Sequence, residues 1–509
     1  MTHYTNYFVE ALRNRIESDI ILYEGGKSIT AGLLLNSAYS LATALHDSGV
    51  NKGDKVVMAV KPGIEFLQVM YANMMVGTII SIIDPEMGRE NYLQKLKQFA
   101  PDHAFVDSKL ILLNEHPVLK FAVLRLNKTV PSFPRIKNCQ LFTTGTWLPL
   151  FQKHKKVARL IKGQAPTPDF TPIEEKSDFL ITYTSGTLSE PKGVVHHYSG
   201  LSNSIKHLTK LLLDNKDEIL ATHLPHYALL GINAGIKVYL WDNKMDPASK
   251  IRFIIERNIT TLFGPPSDFI PIINYLNQKA SKFPDCVRNI YLGSAPIYNP
   301  FLSKLVHLSD TLKITCMYGM TENLLVTIQD GRRKLADTTE GDLVGKPLPN
   351  VQLSIADDGE ICIQSDQIYS HYWQMEKTQD LHFTGDIGKI DDLGRLILLG
   401  RKKYMMIRGN FNIYPGLYEP TIHKIDGVKE AVMVGIYNDE KADEDIILVI
   451  DGEEKLNETM VMKQLITGKY SIDKEALPDR IIFRPIPHSG RQAKIDRKQL
   501  VQQLTAENR

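Results

Sequence analysis

The chain has 509 residues, which is more than one hydrophobic core usually serves, so we expect two or three domains. Hydrophobic residues make up 43% and charged residues 23%, as in an ordinary globular protein, and the formal net charge of +2 gives no reason to expect a nucleic acid partner. Four cysteines have neither disulfide density nor metal-ligand spacing, and the N-terminus has no signal-peptide pattern. Together these features favour a reducing, cytoplasmic setting.

The first hundred residues alternate between helical and extended patterns. Apolar spacing predicts a helix over 31–48 that stops at Gly49, a strand over 55–60 and a second helix over 63–75. The most apolar stretch, 67–83, is interrupted by polar residues, so we interpret it as a core helix that turns at Gly77 into a buried strand over 78–83. This alternation predicts a parallel sheet covered by helices and no transmembrane segment.

A basic run follows at 151–162, with five Lys or Arg residues and His154. Such a run is typical of a solvated helix face, and contact with an anionic membrane surface is the minority alternative.

The stretch 182–193 follows a short apolar strand that begins at Asp178. Its hydroxyls, a flexible Gly186 and the cation Lys192 are the groups that bind phosphate. It is not the usual P-loop, because Pro191 precedes the lysine and Gly193 follows it. The sequence predicts a phosphate-binding loop, with an ordinary Ser/Thr-rich surface turn as the alternative.

The helix–strand rhythm returns between residues 201 and 296, with strands predicted over 218–222, 260–264 and 289–292. After Met320 the pattern changes to short β segments over 351–355, 360–363 and 388–398, which predict a small antiparallel or barrel-like subdomain. From Tyr404 onward about a hundred residues have a βα pattern of their own.

Three further motifs suit a nucleotide with magnesium. In 317–322, Tyr318 can stack on a base, Thr321 can bind a phosphate and Glu322 is a hard oxygen ligand; a capped helix start fits this motif equally well. Asp386 can accept two ribose hydroxyls or serve as a turn residue. Lys494 follows the small Ala493 on an otherwise polar loop, where a surface lysine is the plain alternative.

In this order, these segments resemble the adenylate-forming superfamily of acyl-CoA synthetases, peptide-synthetase adenylation domains and luciferases. The resemblance covers nearly the whole chain, through 76–85, 184–193, 293–296, 318–322, 384–386, 400–403, 409–415 and Lys494. It implies an α/β fold: a large N-terminal domain (1–400) of two helix-covered sheets plus a small β-barrel-like subdomain, a hinge at 401–403, and a smaller mobile α+β C-terminal domain (404–509) that carries the catalytic lysine.

The resemblance also implies roles for single residues. Lys494, Glu322, Thr184 and Lys192 would be catalytic, with Glu322 on Mg²⁺. The nucleotide set would be Thr184, Ser185, Gly186, Thr187, Lys192, Gly293, Ser294, Ala295, Tyr318, Gly319, Met320, Thr321, Asp386, Arg401 and Lys494. The acyl site would include Tyr227, Ala228, Gly231 and Gly264, with Lys403 as the hinge and Gly409 in the thiol channel.

The implied reaction joins a carboxylic acid to ATP, giving an acyl-adenylate and pyrophosphate, and then passes the acyl group to CoA with release of AMP. Ala228 stands where amino-acid-activating domains place an aspartate, which disfavours an amino-acid substrate. The neighbouring apolar residues favour a medium- or long-chain fatty acid, unless they only pack the core. Leu188, Ser189, Tyr404 and Ala493 depart from the family pattern, but no charged catalytic group is lost.

Three other functions fit the same residues. The chain also resembles olefin-pathway β-lactone synthetases, which adenylate a 3-hydroxy fatty acid and need no CoA. It could instead load a separate acyl carrier protein, or be a nucleotide-binding regulator built on a decayed synthetase. The sequence leaves open whether the protein is a monomer or a homodimer.

Overall fold

The structure is a computed structural model, and it describes residues 7–83, 89–115, 133–134, 136–145, 154–163, 173–183, 192–212, 217–242, 244–376, 381–408, 411–438, 443–489 and 494–507. The predictions made for Thr184, Ser185, Gly186, Thr187 and Gly409 fall outside these residues. So do the departures at Leu188, Ser189 and Ala493.

One sheet has eight strands, of which the central ones run parallel. Two antiparallel pairings complete the sheet at one end. In spatial order the strands are β19 (His371–Tyr372), β9 (Gly193–His197), β8 (Asp178–Tyr183), β4 (Ile79–Ile82), β3 (Lys55–Ala59), β5 (His103–Asp107), β6 (Gln140–Thr144) and β7 (Lys155–Lys156).

The second sheet has thirteen strands. Six neighbouring strands run parallel, and the strands that follow them at one end pair antiparallel. In spatial order these are β17 (Val351–Ile355), β18 (Glu360–Ser365), β20 (His382–Ile390), β21 (Leu396–Arg401), β16 (Asp342–Pro347), β15 (Asn323–Asp330), β14 (Lys313–Met320), β13 (Asn289–Leu292), β12 (Thr261–Gly264), β10 (Ile219–Thr222), β11 (Lys237–Leu240), β1 (Ile20–Glu24) and β2 (Lys27–Thr30).

Helices pack between and around these sheets. They are α1 (Tyr7–Arg13), α2 (Ala31–His46), α3 (Ile64–Val76), α4 (Arg89–Phe99), α5 (Ser108–Glu115), α6 (Val157–Leu160), α7 (Tyr198–Leu212), α8 (Pro225–Asn233), α9 (Pro247–Glu256), α10 (Pro266–Gln278), α11 (Asn299–His307) and α12 (Gly331–Ala336). The largest core cluster contains side chains of both sheets together with α2, α3, α7 and α8, so these helices form a shared layer between the sheets.

The predicted elements of the first hundred residues are confirmed. Helix α2 begins after Thr30, whose side chain accepts a hydrogen bond from the Leu33 N–H, as expected for an N-cap. Helix α3 ends at Gly77, which has a left-handed φ of 83° that favours glycine. The chain then enters β4, so the apolar stretch is a core helix followed by a buried strand.

The C-terminal part forms a smaller α+β unit. Its sheet contains β24 (Val428–Asn438), β25 (Asp443–Gly452) and β26 (Arg480–Phe483), with small hairpins β22 (Met406–Arg408)–β23 (Phe411–Ile413) and β27 (His488–Ser489)–β28 (Lys494–Ile495). The helices are α13 (Pro415–Ile422), α14 (Glu458–Ile466) and α15 (Arg497–Glu507). Side chains of β24 alternate between a core shared with α13 and α14 and a core shared with α15.

Two predictions need correction. In its described part the basic run is not a continuous solvated helix: Lys155 and Lys156 join the edge of a sheet, and a four-residue helix follows with Val157 buried. The predicted antiparallel pattern after Met320 is confirmed, and β16 joins it to the larger sheet by pairing with both β15 and β21. Lys494 lies in a short strand and not in a loop.

No helix within the described ranges has both the length and the apolar character needed to cross a membrane.

Candidate active site

The carboxyl ends of the parallel strands of the larger sheet define one edge of the molecule. Strands β10, β12, β13 and β14 pair in parallel register, so the residues that follow them lie side by side. In open α/β sheets, ligands bind at this edge. The predicted residues Tyr227, Gly264, Gly293 and Tyr318 all lie at or just beyond it.

The motif around Glu322 is a strand–turn–strand unit. Thr321 and Glu322 connect the antiparallel strands β14 and β15, so the alternative of a capped helix start is wrong. The backbone is tightly packed here, because a Cβ added to Gly319 would overlap the carbonyl oxygen of Leu324. This close approach explains the glycine and fixes the path of the turn that carries the carboxylate.

Asp386 is the centre of a hydrogen-bonded group that joins three strands. Its Oδ2 accepts a 2.7 Å hydrogen bond from the Tyr318 hydroxyl, and its Oδ1 lies 2.6 Å from Nε of Arg401. Burial raises the pKa of Asp386, while the Arg401 charge and the Tyr318 hydrogen bond oppose that rise. Arg401 also donates to the Thr384 carbonyl at 3.1 Å. The Asp386 carboxylate is thus held in one orientation between Tyr318 of β14 and Arg401 of β21.

Glu322 has a partner that sequence reasoning missed. The Tyr372 hydroxyl donates a 2.9 Å hydrogen bond to Oε1 of Glu322, and Nζ of Lys192 lies 5.0 Å from the centroid of the same Tyr372 ring. Tyr372 therefore stands between the predicted magnesium ligand and the predicted phosphate-loop lysine. Strand β19 pairs with β9, which begins directly after Lys192, and this pairing brings the tyrosine to the site.

The predicted phosphate loop connects β8 to β9. Tyr183 pairs with Gly193 across this hairpin, and residues 184–191 between them lie outside the described residues. Lys192, which directly precedes β9, is exposed.

Lys494 approaches the site from the C-terminal unit. Surrounding protein and the positive charge of Arg401 lower the pKa of Lys494, although its side chain is solvent-accessible. Lys494 is thus within electrostatic range of the arginine that holds Asp386, as expected for a lysine that acts at the nucleotide.

The predicted adenine turn follows β13. Ser294 has a left-handed φ of 67°, which is uncommon for a residue with a side chain, and its hydroxyl lies 3.3 Å from the Tyr227 hydroxyl. Gly293 is buried against Met317, while Ala295 is half-buried. Tyr227 thereby ties α8 to the end of β13, which connects the predicted acyl segment to the predicted adenine turn.

The four predicted acyl-site residues differ in their surroundings. Ala228 is fully buried, and a Cβ added to Gly231 would contact Val238 and Leu220, so both positions pack α8 against the sheet. Tyr227 packs on Phe263, with ring centroids 3.6 Å apart. Packing alone therefore accounts for Ala228 and Gly231, whereas Tyr227 reaches the strand edge.

A buried polar pair beside Gly264 was not predicted. Oδ2 of Asp268 lies 3.2 Å from Nδ1 of His223, and it fills the space next to Gly264. Burial raises the pKa of Asp268 to about 6, opposed by the charge of Lys250. The wall of the predicted acyl site is thus partly polar, which no feature of residues 224–231 indicated.

These residues fit a magnesium nucleotide. Asp386 is held by Arg401 and Tyr318, yet each carboxylate oxygen has lone pairs left for a hydroxyl. Glu322 offers one carboxylate, and Mg²⁺ in nucleotide sites is usually held by one or two carboxylates together with phosphate oxygens. The described residues contain no group of three or more His, Cys, Asp or Glu side chains arranged for a metal ion.

Fold and site together define a nucleotide-dependent α/β enzyme with a smaller α+β unit at its C-terminus. The family model of the AMP-binding enzymes matches residues 8–373, so the chain belongs to that family.

Similar proteins agree with this assignment. A mitochondrial medium-chain acyl-CoA ligase of Rattus norvegicus is 26% identical over 91% of this chain and 82% of its own length. A long-chain-fatty-acid–CoA ligase of Mycobacterium tuberculosis is 22% identical over 88% of this chain and 87% of its own length.

Solved structures show the same fold. ATP-bound MatB from Rhodopseudomonas palustris has a TM-score of 0.80 and 20% identity, with 99% of each chain covered. The o-succinylbenzoate CoA synthetase from Bacillus subtilis, solved with its acyl-adenylate, has a TM-score of 0.78 and 19% identity, with 98% of each chain covered. The chain is an AMP-forming acid–thiol ligase of the adenylate-forming superfamily, a class that uses ATP, Mg²⁺ and CoA.

Proposed function

We propose that the protein activates a medium- or long-chain fatty acid as its acyl-adenylate and then transfers the acyl group to CoA. One observation carries this proposal: the chain of contacts from Tyr318 through Asp386 to Arg401 ends within electrostatic range of Lys494. This supports a nucleotide site formed by side chains from both parts of the molecule. The names of the acyl-CoA ligases that resemble the chain support the fatty acid.

In the first step the residues align ATP with the carboxylic acid and neutralise the negative charge of the phosphates. Asp386 and Arg401 hold the ribose hydroxyls, Gly293, Ser294 and Ala295 face the adenine, and Tyr318 lies beside the base. Lys192, with Thr184, Ser185, Gly186 and Thr187, binds the β- and γ-phosphates, alongside Gly319, Met320 and Thr321. Glu322 would hold Mg²⁺, which would supply positive charge against the phosphates. Catalysis then consists of positioning and electrostatic stabilisation.

Lys494 has the central role in this step. As the carboxylate oxygen attacks the α-phosphorus and pyrophosphate leaves, negative charge builds on the α-phosphate oxygens. An ammonium group in a cleft, with part of its hydration removed, stabilises that charge more strongly than an ammonium in open water. Arg401 lies near enough to influence Lys494, so the two cations frame the nucleotide.

The second step needs a different arrangement. The C-terminal unit (404–509) turns about Lys403 relative to residues 1–400, which withdraws Lys494 and brings the strand near Gly409 to the acyl site. The thiol of CoA then attacks the acyl carbon, and AMP leaves. Motions that assemble two sites in turn are an established gating device.

Tyr227 and Gly264 line the acyl site in this proposal, with Ala228 and Gly231 supporting them through packing. We place the protein in the cytoplasm, because its four cysteines are free thiols, which suit a reducing compartment.

The test is a screen of carboxylic acids by pyrophosphate release, with the chain and its Lys494→Ala variant. We expect the substitution to reduce acyl-adenylate formation by about 100-fold or more and to leave thioester formation from supplied acyl-adenylate within about twofold. Lys498→Ala, at an exposed lysine four residues further on, is the matched control and should retain full activity. Equal loss in both half-reactions would contradict the proposal.

The same assay separates the alternatives. CoA-dependent thioester formation supports the proposal, whereas AMP release from a 3-hydroxy acid without CoA would indicate a β-lactone synthetase. Transfer only to an added carrier protein would indicate an acyl-AMP ligase. ATP binding without any acid-dependent pyrophosphate release would indicate a regulator.

A further inference from the structure

The C-terminal unit contains a buried arginine at the start of α15. Arg497 donates to both oxygens of Glu419, at 2.7 and 2.6 Å, and to the Met433 carbonyl at 2.7 Å. The Arg497 side chain is 12% exposed and that of Glu419 is 4% exposed. Nη2 contacts both Glu419 oxygens and Nη1 contacts the Met433 carbonyl, so two nitrogens of the planar guanidinium have fixed, buried partners. Arg497 is therefore a rigid point within the C-terminal unit.

Tyr404 lies against this rigid point. The guanidinium carbon of Arg497 is 5.2 Å from the centroid of the Tyr404 ring, a cation–π distance. Tyr404 is the first residue after the predicted hinge, where the family has an acid. The Tyr404 ring connects the end of the hinge to the start of α15.

Lys402, the hinge residue before Lys403, is anchored to the N-terminal part. Nζ of Lys402 lies 2.9 Å from Oε2 of Glu360 and 2.5 Å from Oδ2 of Asp358, both in the N-terminal part. Lys402 and Tyr404 are thus tied to opposite parts of the molecule, and Lys403 stands between them.

The rigid point also lies close to the catalytic lysine in sequence. Lys494 and Ile495 form β28, and α15 begins at Arg497. The Asp496 N–H donates to the Pro487 carbonyl at 2.8 Å, which closes the short segment between strand and helix. A shift of Arg497 is therefore passed to Lys494 through two intervening residues.

We propose that Tyr404 is a positioning residue for Lys494, acting through Arg497 to join the exit of the hinge to the lysine-bearing segment. This inference rests on the proposed function for its effect on catalysis. With the Tyr404 ring in place, the C-terminal unit rotates only about Lys403, and Lys494 returns to one position beside Arg401. Without the ring, the segment that carries Lys494 is no longer held against the end of the hinge.

Half-reaction kinetics of Tyr404→Ala and Tyr404→Phe test the proposal. We expect Tyr404→Ala to lower kcat for adenylation by about tenfold, with KM for ATP and thioester formation from supplied acyl-adenylate changed less than about twofold. Tyr404→Phe keeps the ring and should restore the rate. Tyr437→Ala, at a tyrosine 63% exposed in the same unit, is the control. Unchanged adenylation in Tyr404→Ala, or equal loss in both half-reactions together with a lower Tm, would overturn the proposal.

A second measurement needs no acid substrate. The pH profile of Lys494 acetylation, followed by mass spectrometry, reports how close the amine lies to Arg401 and the cleft. We expect its midpoint to move upward in Tyr404→Ala but not in Tyr404→Phe, with no change at Lys429, which is 65% exposed. An unmoved midpoint overturns the proposal. A moved midpoint in a chain that adenylates no acid would support the positioning role and reject the proposed function.

Discussion

Tyr372 donates its hydroxyl hydrogen to Oε1 of Glu322 at 2.9 Å, across fifty residues of sequence. The nearby Glu322 charge and burial both raise the pKa of Tyr372, so the phenol stays protonated and can only donate this bond to the carboxylate. The bond therefore fixes one oxygen of the Glu322 carboxylate. Since the same ring contacts Lys192, Tyr372 sets the spacing between the carboxylate and the lysine.

Removing this hydroxyl should weaken the use of magnesium. For Tyr372→Phe we expect the Mg²⁺ concentration that gives half-maximal adenylation to rise by about three- to tenfold, because Glu322 loses the bond that orients it. The measurement is a magnesium titration of pyrophosphate release at saturating ATP. Tyr437→Phe, at an exposed tyrosine, should behave as the unchanged chain. Identical magnesium curves for Tyr372→Phe would contradict this role.

The Asp386 carboxylate should account for recognition of the ribose. For Asp386→Asn we expect KM for ATP to rise by about 10- to 100-fold, as for loss of hydrogen bonds to a charged group. The unchanged enzyme should discriminate against 2′-deoxy-ATP, and the variant should do so much less, because the hydroxyl has lost its partner. KM values for both nucleotides with both proteins give this comparison. Equal discrimination by the two proteins would place the ribose elsewhere.

Much of the fold could be predicted from sequence because its signals are local. Helix α2 has apolar spacing, an N-cap at Thr30 and a stop near Gly49, and the structure agrees within two residues at its C-terminus. Strands β12 and β13 likewise combine short apolar runs with flanking turns. The basic run at 151–162 was predicted wrongly, because pairing of Lys155 and Lys156 with a distant strand outweighed the local charge pattern.

The site was predictable where a motif carries its own chemistry, as in Asp386 and Glu322. It was not predictable where a partner comes from a distant segment. Tyr372 reaches Glu322 only because β19 pairs with β9, and Arg497 reaches Tyr404 only through the packing of the C-terminal unit. A single sequence contains no local signal for such contacts, since each depends on the register of strands far apart in the chain.

The tight turn before Glu322 should not tolerate a side chain. In Gly319→Ala the new Cβ would overlap the Leu324 carbonyl, so the β14–β15 turn must shift and move Glu322 with it. We expect a stability loss of about 1–3 kcal/mol and a fall in adenylation rate well beyond what that loss explains. Gly26→Ala is the matched control, since nothing lies within 4 Å of its Cβ position. Thermal unfolding and pyrophosphate release measure the two effects, and a fully active Gly319→Ala enzyme would show that the turn is adaptable.

Stability should fall in mild acid through His196, which lies buried in β9. Burial lowers the pKa of His196 to about 4, whereas an unfolded chain has the ordinary histidine value of about 6.5. As pH falls from 6.5 towards 4, the unfolded chain takes up a proton that the folded protein does not, so the free energy of unfolding decreases by up to about 1.4 kcal/mol per pH unit. The neutral residue in His196→Gln removes this contribution. Between pH 7.5 and 4.5 the thermal midpoint should therefore fall less steeply with decreasing pH for the variant than for the unchanged chain. Equal slopes for the two proteins would mean that His196 is protonated in the folded state as readily as in the unfolded chain.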